Sequence, residues 1–506
     1  MELYNTRTRK RALLTPQSEG GAERPFTIYA CGITPYDRPH LGHAATAIRC
    51  AVLRRYLSFL GHSVQFVQNI TDIDDKIINR AKQWGEEPLA IAERFTEEYR
   101  QELSHFGIPL PDAEPRVSGH IGTIIRYIEK LLTLGHAYLS SNGDVYFDIA
   151  SAERYGALSG HAPRELIGGT REPVRKEKRH SLDFALWKRS DDPVGTFPSP
   201  WGTGRPGWHT ECCAMSNAIL GETIDIHCGG LDLLFPHHEN ELVQAECHNG
   251  APFARWWFHL GLILVDGMKM SKSLGNFVTI ADARERWGVP LLVYGLLTVH
   301  YRSPINLRDE LFEERINQVL DLYWFCEQVE KLIRDRTIEE DSGSAKEDRD
   351  GAPLVSQQPF NQNLREHFIG AMNKDLNTPQ ALVAIDEAVG AGSKLLLQPI
   401  SYFDELCSLA LELRTLGEIL LLFPPQYSFA RLFDEIMKLL SIRAEERGEH
   451  RPVLSLETLD MLLAERTSHR IHRRFAEADA IRERLKAAGI VCIDGSPREW
   501  RVAVNG

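Results

Sequence analysis

The chain has 506 residues, of which 43% are hydrophobic, and its formal net charge at pH 7 is −12. This length allows three or more domains with a substantial core. The sequence contains no apolar run long enough to span a membrane, and its basic N-terminus lacks the apolar stretch of a signal peptide. Nine irregularly spaced cysteines do not form a disulfide framework, which indicates a reducing compartment, the cytoplasm.

An α/β pattern with the features of a nucleotide-binding fold begins near residue 25. The apolar runs predict a strand at Phe26–Ala30, a helix at Ala44–Leu60 and a second strand at Val64–Gln68. The segment His40–His43 (HLGH) stands between the first strand and the helix. Imidazoles and free backbone N–H groups at a helix N-terminus suit a triphosphate, because the helix dipole favours negative charge there.

The pattern is interrupted from about residue 118 to 204, which we interpret as an insertion that splits the fold. Within it, Gly143–Asp148 predicts a turn and a short strand, and residues 160–180 are loop-rich and basic. The α/β pattern then resumes with a helix after Gly207, a strand at Thr223–His227 and an apolar run at Trp256–Val265.

The segment Lys269–Ser273 (KMSKS) follows that apolar run and precedes Gly275. A loop with two lysines suits a mobile cationic flap that closes over a transferring phosphoryl group. Taken singly, HLGH is also compatible with an accidental loop and KMSKS with a solvated charged turn. Together, in this order within one α/β pattern, they resemble the class I aminoacyl-tRNA synthetases.

Cysteine, histidine and glutamate residues near these motifs form a candidate metal site. Cys31 ends the first strand, at the crevice where doubly wound sheets bind ligands, and Cys212 follows the segment GWHTE. His237 and Glu241 follow Pro236 four residues apart, on one face of a predicted helix. Two thiolates, one imidazole and one carboxylate suit tetrahedral zinc. Alternatively, both cysteines are buried apolar residues and the segment PHHENE is a solvated helix start.

Four segments resemble cysteinyl-tRNA synthetases in particular: 31–43 (CGITPYDRPHLGH), 69–76 (NITDIDDK), 207–212 (GWHTEC) and 225–241 (DIHCGGLDLLFPHHENE). The resemblance runs nearly end to end and includes the tail from residue 463 to 500. It implies a Rossmann-like α/β nucleotide-binding domain of class I synthetase type, split by an insertion and followed by a helical bundle and a small C-terminal anticodon-binding domain. Zinc–thiolate bonding separates cysteine from serine, which apolar packing distinguishes weakly.

The resemblance also implies roles for individual residues. One zinc ion per chain would bind the substrate thiol, with Cys31, Cys212, His237 and Glu241 as its protein ligands. Catalysis is assigned to His40, His43, Lys269 and Lys272. ATP, with Mg²⁺, is assigned to Thr34, His40, Gly42, His43 and Lys272. The cysteine pocket is assigned to Gly32, Thr71, Trp208, His227 and Asp232. Transfer RNA is assigned to Arg466, Arg470, Arg473, Arg474 and Trp500.

Some of these assignments have structural alternatives. Trp208 is also compatible with a core position and Asp232 with an ordinary turn, and the basic stretch 466–486 is compatible with a solvated surface helix. Three residues depart from the usual family pattern: Pro35 replaces valine, Cys213 replaces serine and Cys228 interrupts a glycine run. None of them removes a predicted ligand, and consecutive side chains diverge, so only one of Cys212 and Cys213 should reach a metal.

The sequence predicts seven segments. They are 1–117 and 205–265 (the two halves of the catalytic domain), 118–204 (the insertion), 266–330 (the KMSKS loop and a stem-contact region), 331–358 (a flexible linker), 359–447 (a helical bundle) and 448–506 (an anticodon-binding domain).

The predicted activity is that of a monomeric cysteine–tRNA ligase, which activates L-cysteine with ATP and charges tRNA(Cys), with no membrane partner. Three alternatives remain. A cysteine ligase of mycothiol biosynthesis would lack the C-terminal tail. A non-catalytic RNA-binding paralogue is opposed by the intact His40, His43, Lys269 and Lys272. A zinc hydrolase with Glu239 as general base would leave both adenylation motifs unexplained.

Overall fold

The computed structural model describes residues 1–19, 22–161, 177–270, 275–341 and 359–504. The strands are β1 (Glu2–Asn5), β2 (Lys10–Leu13), β3 (Ser18–Glu19), β4 (Ala22–Glu23), β5 (Phe26–Ala30), β6 (Val64–Gln68), β7 (Ala137–Leu139), β8 (Val145–Phe147), β9 (Phe184–Arg189), β10 (Gly204–Pro206), β11 (Ile224–Gly230), β12 (Ala254–Leu260), β13 (Ile263–Val265), β14 (Met268–Lys269), β15 (Ile305–Leu307), β16 (Ile490–Cys492) and β17 (Trp500–Val502).

The helices are α1 (Leu41–Phe59), α2 (Asp75–Trp84), α3 (Pro88–His105), α4 (Ile121–Thr133), α5 (Trp208–Leu220), α6 (Glu239–Asn249), α7 (Ile280–Trp287), α8 (Val289–Leu297), α9 (Asp309–Glu313), α10 (Ile316–Asp341), α11 (Pro359–Met372), α12 (Thr378–Leu395), α13 (Phe403–Ile419), α14 (Phe429–Glu446), α15 (Leu456–Ile471) and α16 (Phe475–Ala487). None of these helices is both long enough and apolar enough to cross a membrane.

A parallel four-stranded sheet in the order β12-β11-β5-β6 carries the site. Ile28 of β5 pairs with Ile226 of β11 on one side and with Phe66 of β6 on the other. The central strands β5 and β11 are covered on both faces, so both are buried along almost their whole length. The carboxyl ends of all four strands lie at one edge, so the residues that follow them meet there.

The predicted strands Phe26–Ala30 and Val64–Gln68 are confirmed. The helix predicted at Ala44–Leu60 begins three residues earlier, at Leu41, because His40 takes the N-cap position and the rest of the signature forms the first helical turn. The histidines are therefore part of the helix start and not of a preceding loop.

The interruption of the α/β pattern is also confirmed. Strands β7–β10 form a separate antiparallel sheet in the order β10-β9-β8-β7, against which α4 lies. The strand predicted within Gly143–Asp148 is β8. Most of the predicted basic loop at residues 160–180 lies outside the described residues.

Two predicted elements near the metal site have different bounds. The helix expected directly after Pro236 begins at Glu239, because residues 234–238 form a π turn. The apolar run Trp256–Val265 covers most of β12 and all of β13, and the chain bends between these two strands at Gly261. A side chain at Gly261 would place its Cβ 2.0 Å from the carbonyl oxygen of Ser303, so the bend requires glycine.

Helices α11–α14 lie within the segment predicted as a bundle, residues 359–447, and pack together with α10, which runs from Ile316 to Asp341 and so enters the predicted linker. Its polar end is rich in arginine and glutamate, and extending an existing helix costs little once its first turns are packed. The linker prediction was therefore wrong for residues 331–341, and residues 342–358 lie outside the described part of the chain.

The C-terminal unit, α15, α16 and the β16–β17 hairpin, is fastened to the bundle. Asn317 of α10 donates from Nδ2 to the carbonyl oxygen of Val502 at 2.9 Å. Trp500, only 4% exposed, packs against Phe429 and Phe433 of α14 with ring centroids 6.4 and 5.2 Å away. The hairpin is therefore part of a shared core.

We predict that Trp500→Ala lowers the free energy of unfolding of the bundle and C-terminal unit by about 3 kcal/mol, because it removes a large buried aromatic side chain. Urea unfolding followed by far-UV circular dichroism measures the change. Ile471→Ala, at a position 73% exposed, is the control and should leave the midpoint unchanged. Equal midpoints for the two variants would show that Trp500 does not hold the hairpin.

Candidate active site and metal centre

A cavity of about 490 Å³ opens at the carboxyl edge of the parallel sheet. Its walls come from the turn after β5, the start of α1, the turn after β11, the bend after β12 and the insertion. The edge of a doubly wound sheet is where such folds bind their ligands. The sequence motifs assigned to substrate and nucleotide therefore converge on one cavity.

The four predicted metal ligands lie together beside this cavity, and two of them, Cys31 and His237, line it. Cys31 Sγ is 3.9 Å from Cys212 Sγ, 3.5 Å from His237 Nε2 and 3.7 Å from Glu241 Oε1. The His237 Nε2 to Glu241 Oε1 distance is 3.1 Å. All four donor atoms lie within 4.8 Å of one another, and all four residues are buried. Two sulfurs, one imidazole and one carboxylate so placed form a candidate metal centre.

Each donor comes from a different element. Cys31 follows β5 and donates its backbone N–H to Cys228 of β11, Cys212 lies in α5, His237 lies in the π turn and Glu241 is in the first turn of α6. The geometry does not favour the alternative in which both cysteines are ordinary buried apolar residues, because their thiols face a histidine and a carboxylate.

Trp208 and His209, which precede Cys212 in the same helix, orient His237. Its Nδ1 lies 2.9 Å from Nδ1 of His209, and the Trp208 ring stacks on it at 4.0 Å. These contacts leave Nε2 directed towards the two thiols, as expected for a metal-ligating histidine held by a second hydrogen bond. Trp208 is half-buried and lines the cavity, so it is not an ordinary core residue.

A second donor group shares Cys31 and Glu241 but replaces the other two residues with His227 and His238. His227 Nε2 lies 2.8 Å from Glu241 Oε2, and His238 Nε2 lies 3.4 Å from Cys31 Sγ. The group with Cys212 offers two thiols, which a soft metal prefers. The two extra histidines form a layer around it, and the sequence analysis missed His238 because it is adjacent to a predicted ligand.

Burial and mutual charge set the protonation of the cluster. Burial raises the pKa of the Cys31 thiol, whereas the hydrogen bond from that thiol lowers the pKa of Cys212. Burial opposes ionisation of Glu241, but His237 and His227 outweigh it and hold the pKa of Glu241 well below its usual range. Burial likewise opposes protonation of His237, yet Glu241 and Cys212 raise its pKa to about 10. A bound cation favours the thiolate form of both cysteines.

The unusual cysteines lie outside the cluster. The Cys213 thiol donates to the backbone carbonyl of Glu241 at 3.4 Å and belongs to neither donor group. Cys228 is fully buried in the core between the sheet and α1. Of the adjacent pair, only Cys212 joins the donor group.

The signature turn forms the opposite wall of the cavity. The rings of His40 and His43 stack with centroids 3.6 Å apart at the N-terminus of α1. A Cβ at Gly42 would lie 2.9 Å from the His40 ring, so the stacking requires glycine at that position. Burial, with His40 and Lys76 nearby, lowers the pKa of His43 well below its usual value. His43 is therefore neutral at pH 7 and available as a hydrogen-bond donor.

The chain that follows the KMSKS segment is hydrogen-bonded to the signature turn through its main chain. Leu41 donates its N–H to Val278 at 3.0 Å, and Ile280 donates to Pro39 at 3.0 Å. Lys269, the first residue of the KMSKS segment, ends β14. Its Nζ lies 2.9 Å from Asp232 Oδ2. Residues 271–274, which include Lys272, lie outside the described residues, so the role assigned to Lys272 stays a prediction.

The structure divides the remaining predicted substrate residues between the wall of the cavity and the layer behind it. Gly32, Thr34, Trp208 and Asp232 line the cavity. Gly32 lies close to the backbone of Asn69, because a Cβ there would be 1.6 Å from its carbonyl oxygen. Behind this wall, His227 holds Glu241, and Thr71 is buried and accepts a hydrogen bond from Asn69.

Glu239 does not have the environment of a general base. Its Oε1 accepts a hydrogen bond from the backbone N–H of Gly156 at 2.9 Å, and its Oε2 accepts one from Ser159 at 2.7 Å. The side chain is fully buried, and both oxygens are occupied by the insertion loop. The hydrolase alternative, which needed Glu239 to activate water, therefore has no support in the structure.

The residues predicted to contact tRNA are split between surface and interior. Arg466 is buried with its Nη2 2.8 Å from Asp494, and Trp500 is in the shared core, so neither presents a surface for RNA. Arg470 is exposed but also pairs with Asp494. Arg473 and Arg474 are exposed in the turn between α15 and α16.

Two apolar residues beside that turn were missed. Ile471 and Phe475 are 73% and 61% exposed. Apolar residues on a helical pattern usually indicate a core-facing side, so the sequence alone contained no signal that these two face solvent. We call Ile471, Arg473, Arg474 and Phe475 the C-terminal patch.

Residues 17–317 match the family described as tRNA synthetases class I (C) catalytic domain. The chain is 39% identical to the cysteine–tRNA ligase of Persephonella marina, over 98% of each chain. It is 40% identical to the cysteine–tRNA ligase of Aquifex aeolicus, over 98% of this chain and 97% of that one.

A similar fold occurs in the methionyl-tRNA synthetase of Mycobacterium tuberculosis bound by methionyl-adenylate. Its TM-score to this chain is 0.56 at 17% identity, covering 82% of this chain and 92% of the other. The predicted class I synthetase fold, with its divided α/β domain and helical C-terminal region, is confirmed.

We predict that Cys212→Ser removes bound divalent metal from the purified protein, because a serine hydroxyl is a poor ligand for a soft cation. Elemental analysis by mass spectrometry measures the metal-to-protein ratio. Cys213→Ser is the matched control, since it makes the same atomic change one residue away and should keep the full ratio. Equal metal content in both variants would show that the donor group is wrongly assigned.

Proposed function

Because the chain belongs to the cysteine–tRNA ligase family of class I tRNA synthetases, we propose that it activates L-cysteine with ATP and transfers the cysteinyl group to the 3′ end of tRNA(Cys). The observation that carries the proposal is the placement of a thiol-rich donor group, the HLGH turn and the described start of the KMSKS segment around one cavity. A soft metal beside a nucleotide site suits a substrate whose side chain is a thiol.

The donor group fits zinc. It offers two thiols, one imidazole and one carboxylate, all buried and within mutual reach, which is the chemistry of a tetrahedral zinc site. Cys31, Cys212, His237 and Glu241 would hold one Zn²⁺. When bound, the ion supplies a Lewis acid that favours a thiolate over a hydroxyl and so separates cysteine from serine.

The protein residues around the cavity position the other parts of the amino acid. Trp208 covers the donor group from one side and limits the size of the side chain that fits there. The Asp232 carboxylate at the rim suits the substrate's ammonium group. An amino acid held at these two points turns its own carboxylate towards the signature turn.

The first reaction forms cysteinyl-adenylate. The substrate carboxylate attacks the α-phosphorus of ATP, a new C–O–P linkage forms, and pyrophosphate leaves with the electron pair of the broken P–O bond. Negative charge grows on the phosphoryl oxygens in the transition state. His40, neutral His43 and the N-terminus of α1 donate hydrogen bonds towards that charge, while Lys269, Lys272 and the Mg²⁺ that accompanies ATP neutralise it.

The second reaction charges the RNA. The terminal ribose hydroxyl of tRNA(Cys) attacks the acyl carbon, AMP leaves, and an ester forms. The mycothiol-type ligase alternative is not favoured, because relatives named cysteine–tRNA ligase match 97–98% of their own length and the C-terminal unit is present. The cytoplasmic location and the monomeric state stay predictions from the sequence.

The C-terminal patch suits the anticodon loop. Two exposed arginines offer phosphate contacts, and the exposed ring of Phe475 offers a platform on which an unpaired base stacks. Phe475 and Ile471 therefore take the place of the buried Arg466 and Trp500 as residues that contact the RNA.

Cysteine-dependent exchange of pyrophosphate into ATP, followed by charging of total tRNA, tests the proposed function. We expect exchange with cysteine, none above background with serine, and charging of tRNA(Cys) alone. Exchange driven equally by another amino acid would overturn the assignment of substrate. Exchange without charging would point instead to a ligase with a different acceptor.

We predict that Phe475→Ala raises the KM for tRNA(Cys) about five- to a hundredfold, the usual cost of losing one base-stacking ring, and leaves pyrophosphate exchange unchanged. Leu411→Ala, which truncates a side chain 69% exposed on the bundle, is the control and should alter neither. An unchanged KM for tRNA in the Phe475 variant would remove the C-terminal patch from the RNA interface.

A further inference from the structure

The ion pair between Lys269 and Asp232 joins two residues that have separate tasks in the reaction. Lys269 Nζ lies 2.9 Å from Asp232 Oδ2, and both side chains line the cavity. Lys269 stands where β14 leads into the KMSKS loop, and Asp232 lies in the short helical turn after β11. The pair therefore holds Lys269 on the amino-acid side of the cavity.

Asp232 differs from the other carboxylates that line the cavity among the described residues. Asp183 accepts hydrogen bonds from Tyr138 and from the insertion backbone, Asp74 caps α2, and Asp37 pairs with Arg80. Those three contacts belong to the framework of the fold. The partner of Asp232 is a lysine at the edge of a loop, which can be exchanged without disturbing the framework.

The pair is also weak enough to exchange. The Lys269 and Asp232 side chains are 49% and 37% exposed, and exposed ion pairs of this kind contribute little because water screens them. An incoming amino acid is held at the donor group by its thiol. Its ammonium group then competes with Lys269 for the Asp232 carboxylate and has the advantage of being tethered.

We propose that Asp232 exchanges Lys269 for the ammonium group of the amino acid, so that binding of the amino acid releases the loop lysine to the triphosphate. This inference rests on the proposed function, because it takes the amino acid to occupy the donor group and the lysine to serve ATP. Asp232 thereby acts as a positioning residue for Lys269 as well as a contact for substrate.

The exchange makes the two substrates bind cooperatively. If the ammonium group frees Lys269, then amino acid tightens ATP binding, and ATP tightens amino-acid binding by the same factor. The strength of an exposed ion pair sets that factor at about two- to fivefold. Asp232→Asn cannot hold Lys269 as an ion pair, so this variant should bind ATP more tightly than the wild type even without amino acid.

Two small thiol compounds distinguish the effect of the ammonium group from that of the thiol. Neither compound has a carboxylate, so neither can form an adenylate. Cysteamine has both groups, and 2-mercaptoethanol has a hydroxyl in place of the ammonium. The metal-loaded full-length protein is first saturated with one compound or the other. Isothermal titration calorimetry with Mg·ATP then measures the coupling between that compound and ATP. We expect cysteamine to tighten ATP binding two- to fivefold and 2-mercaptoethanol to leave it unchanged.

Variants complete the experiment. In Asp232→Asn, ATP alone should bind as tightly as it binds the wild type with cysteamine, and cysteamine should add nothing. Lys269→Met breaks the pair from the other side and should also lose the cysteamine effect. Asp266→Asn removes an exposed negative charge from the same β13–β14 hairpin and should behave as the wild type.

The outcomes separate the inference from the function on which it rests. Unchanged ATP affinity in Asp232→Asn, with a cysteamine effect that persists, overturns the exchange while leaving the amino-acid and ATP sites in place. Failure of cysteamine to bind the metal-loaded wild type overturns the proposed amino-acid site, and the exchange with it.

Discussion

The burial of the Glu241 carboxylate is the constraint on which the rest of the site depends. A fully buried charge is costly unless it is paired, and Glu241 meets this demand with His227 on one oxygen and His237 on the other. Supplying those partners requires β11, the π turn and α6 to meet at one point. The same arrangement brings Cys31 and Cys212 to the carboxylate, so charge pairing and metal-ligand geometry are satisfied together.

A layer of structural contacts holds this cluster. The carboxylate of Glu239 binds three backbone N–H groups at Gly156–Ser159, which fastens the insertion to the first turn of α6. His209 and Trp208 orient His237 from α5. The donor group is therefore supported from α5, in the second half of the catalytic domain, and from the insertion.

Much of the fold follows from local patterns. The segments Phe26–Ala30 and Val64–Gln68 consist mostly of apolar residues, because these strands are largely buried in the sheet, and such short segments are recognisable in the sequence. The predicted ends of strands and helices were less accurate where a tertiary contact decides where the element begins or ends. The close approach of Gly261 to Ser303 divides an apolar run into two strands, and packing of the first turns of α10 carries a polar segment on as helix to Asp341.

The sequence by itself determined which residues are candidates for the chemistry proposed here, because a metal-binding donor group and phosphate-binding motifs need particular residue types at particular spacings. Cys31, Cys212, His237 and Glu241 could be named before any distance was known. Only the tertiary structure decided which polar residues face a partner and which face solvent. Arg466 and Trp500 look like RNA contacts in the sequence but are buried against Asp494 and α14, whereas Phe475 looks like core but is exposed. Exposure depends on what packs against a residue from distant parts of the chain, and local composition does not contain that information.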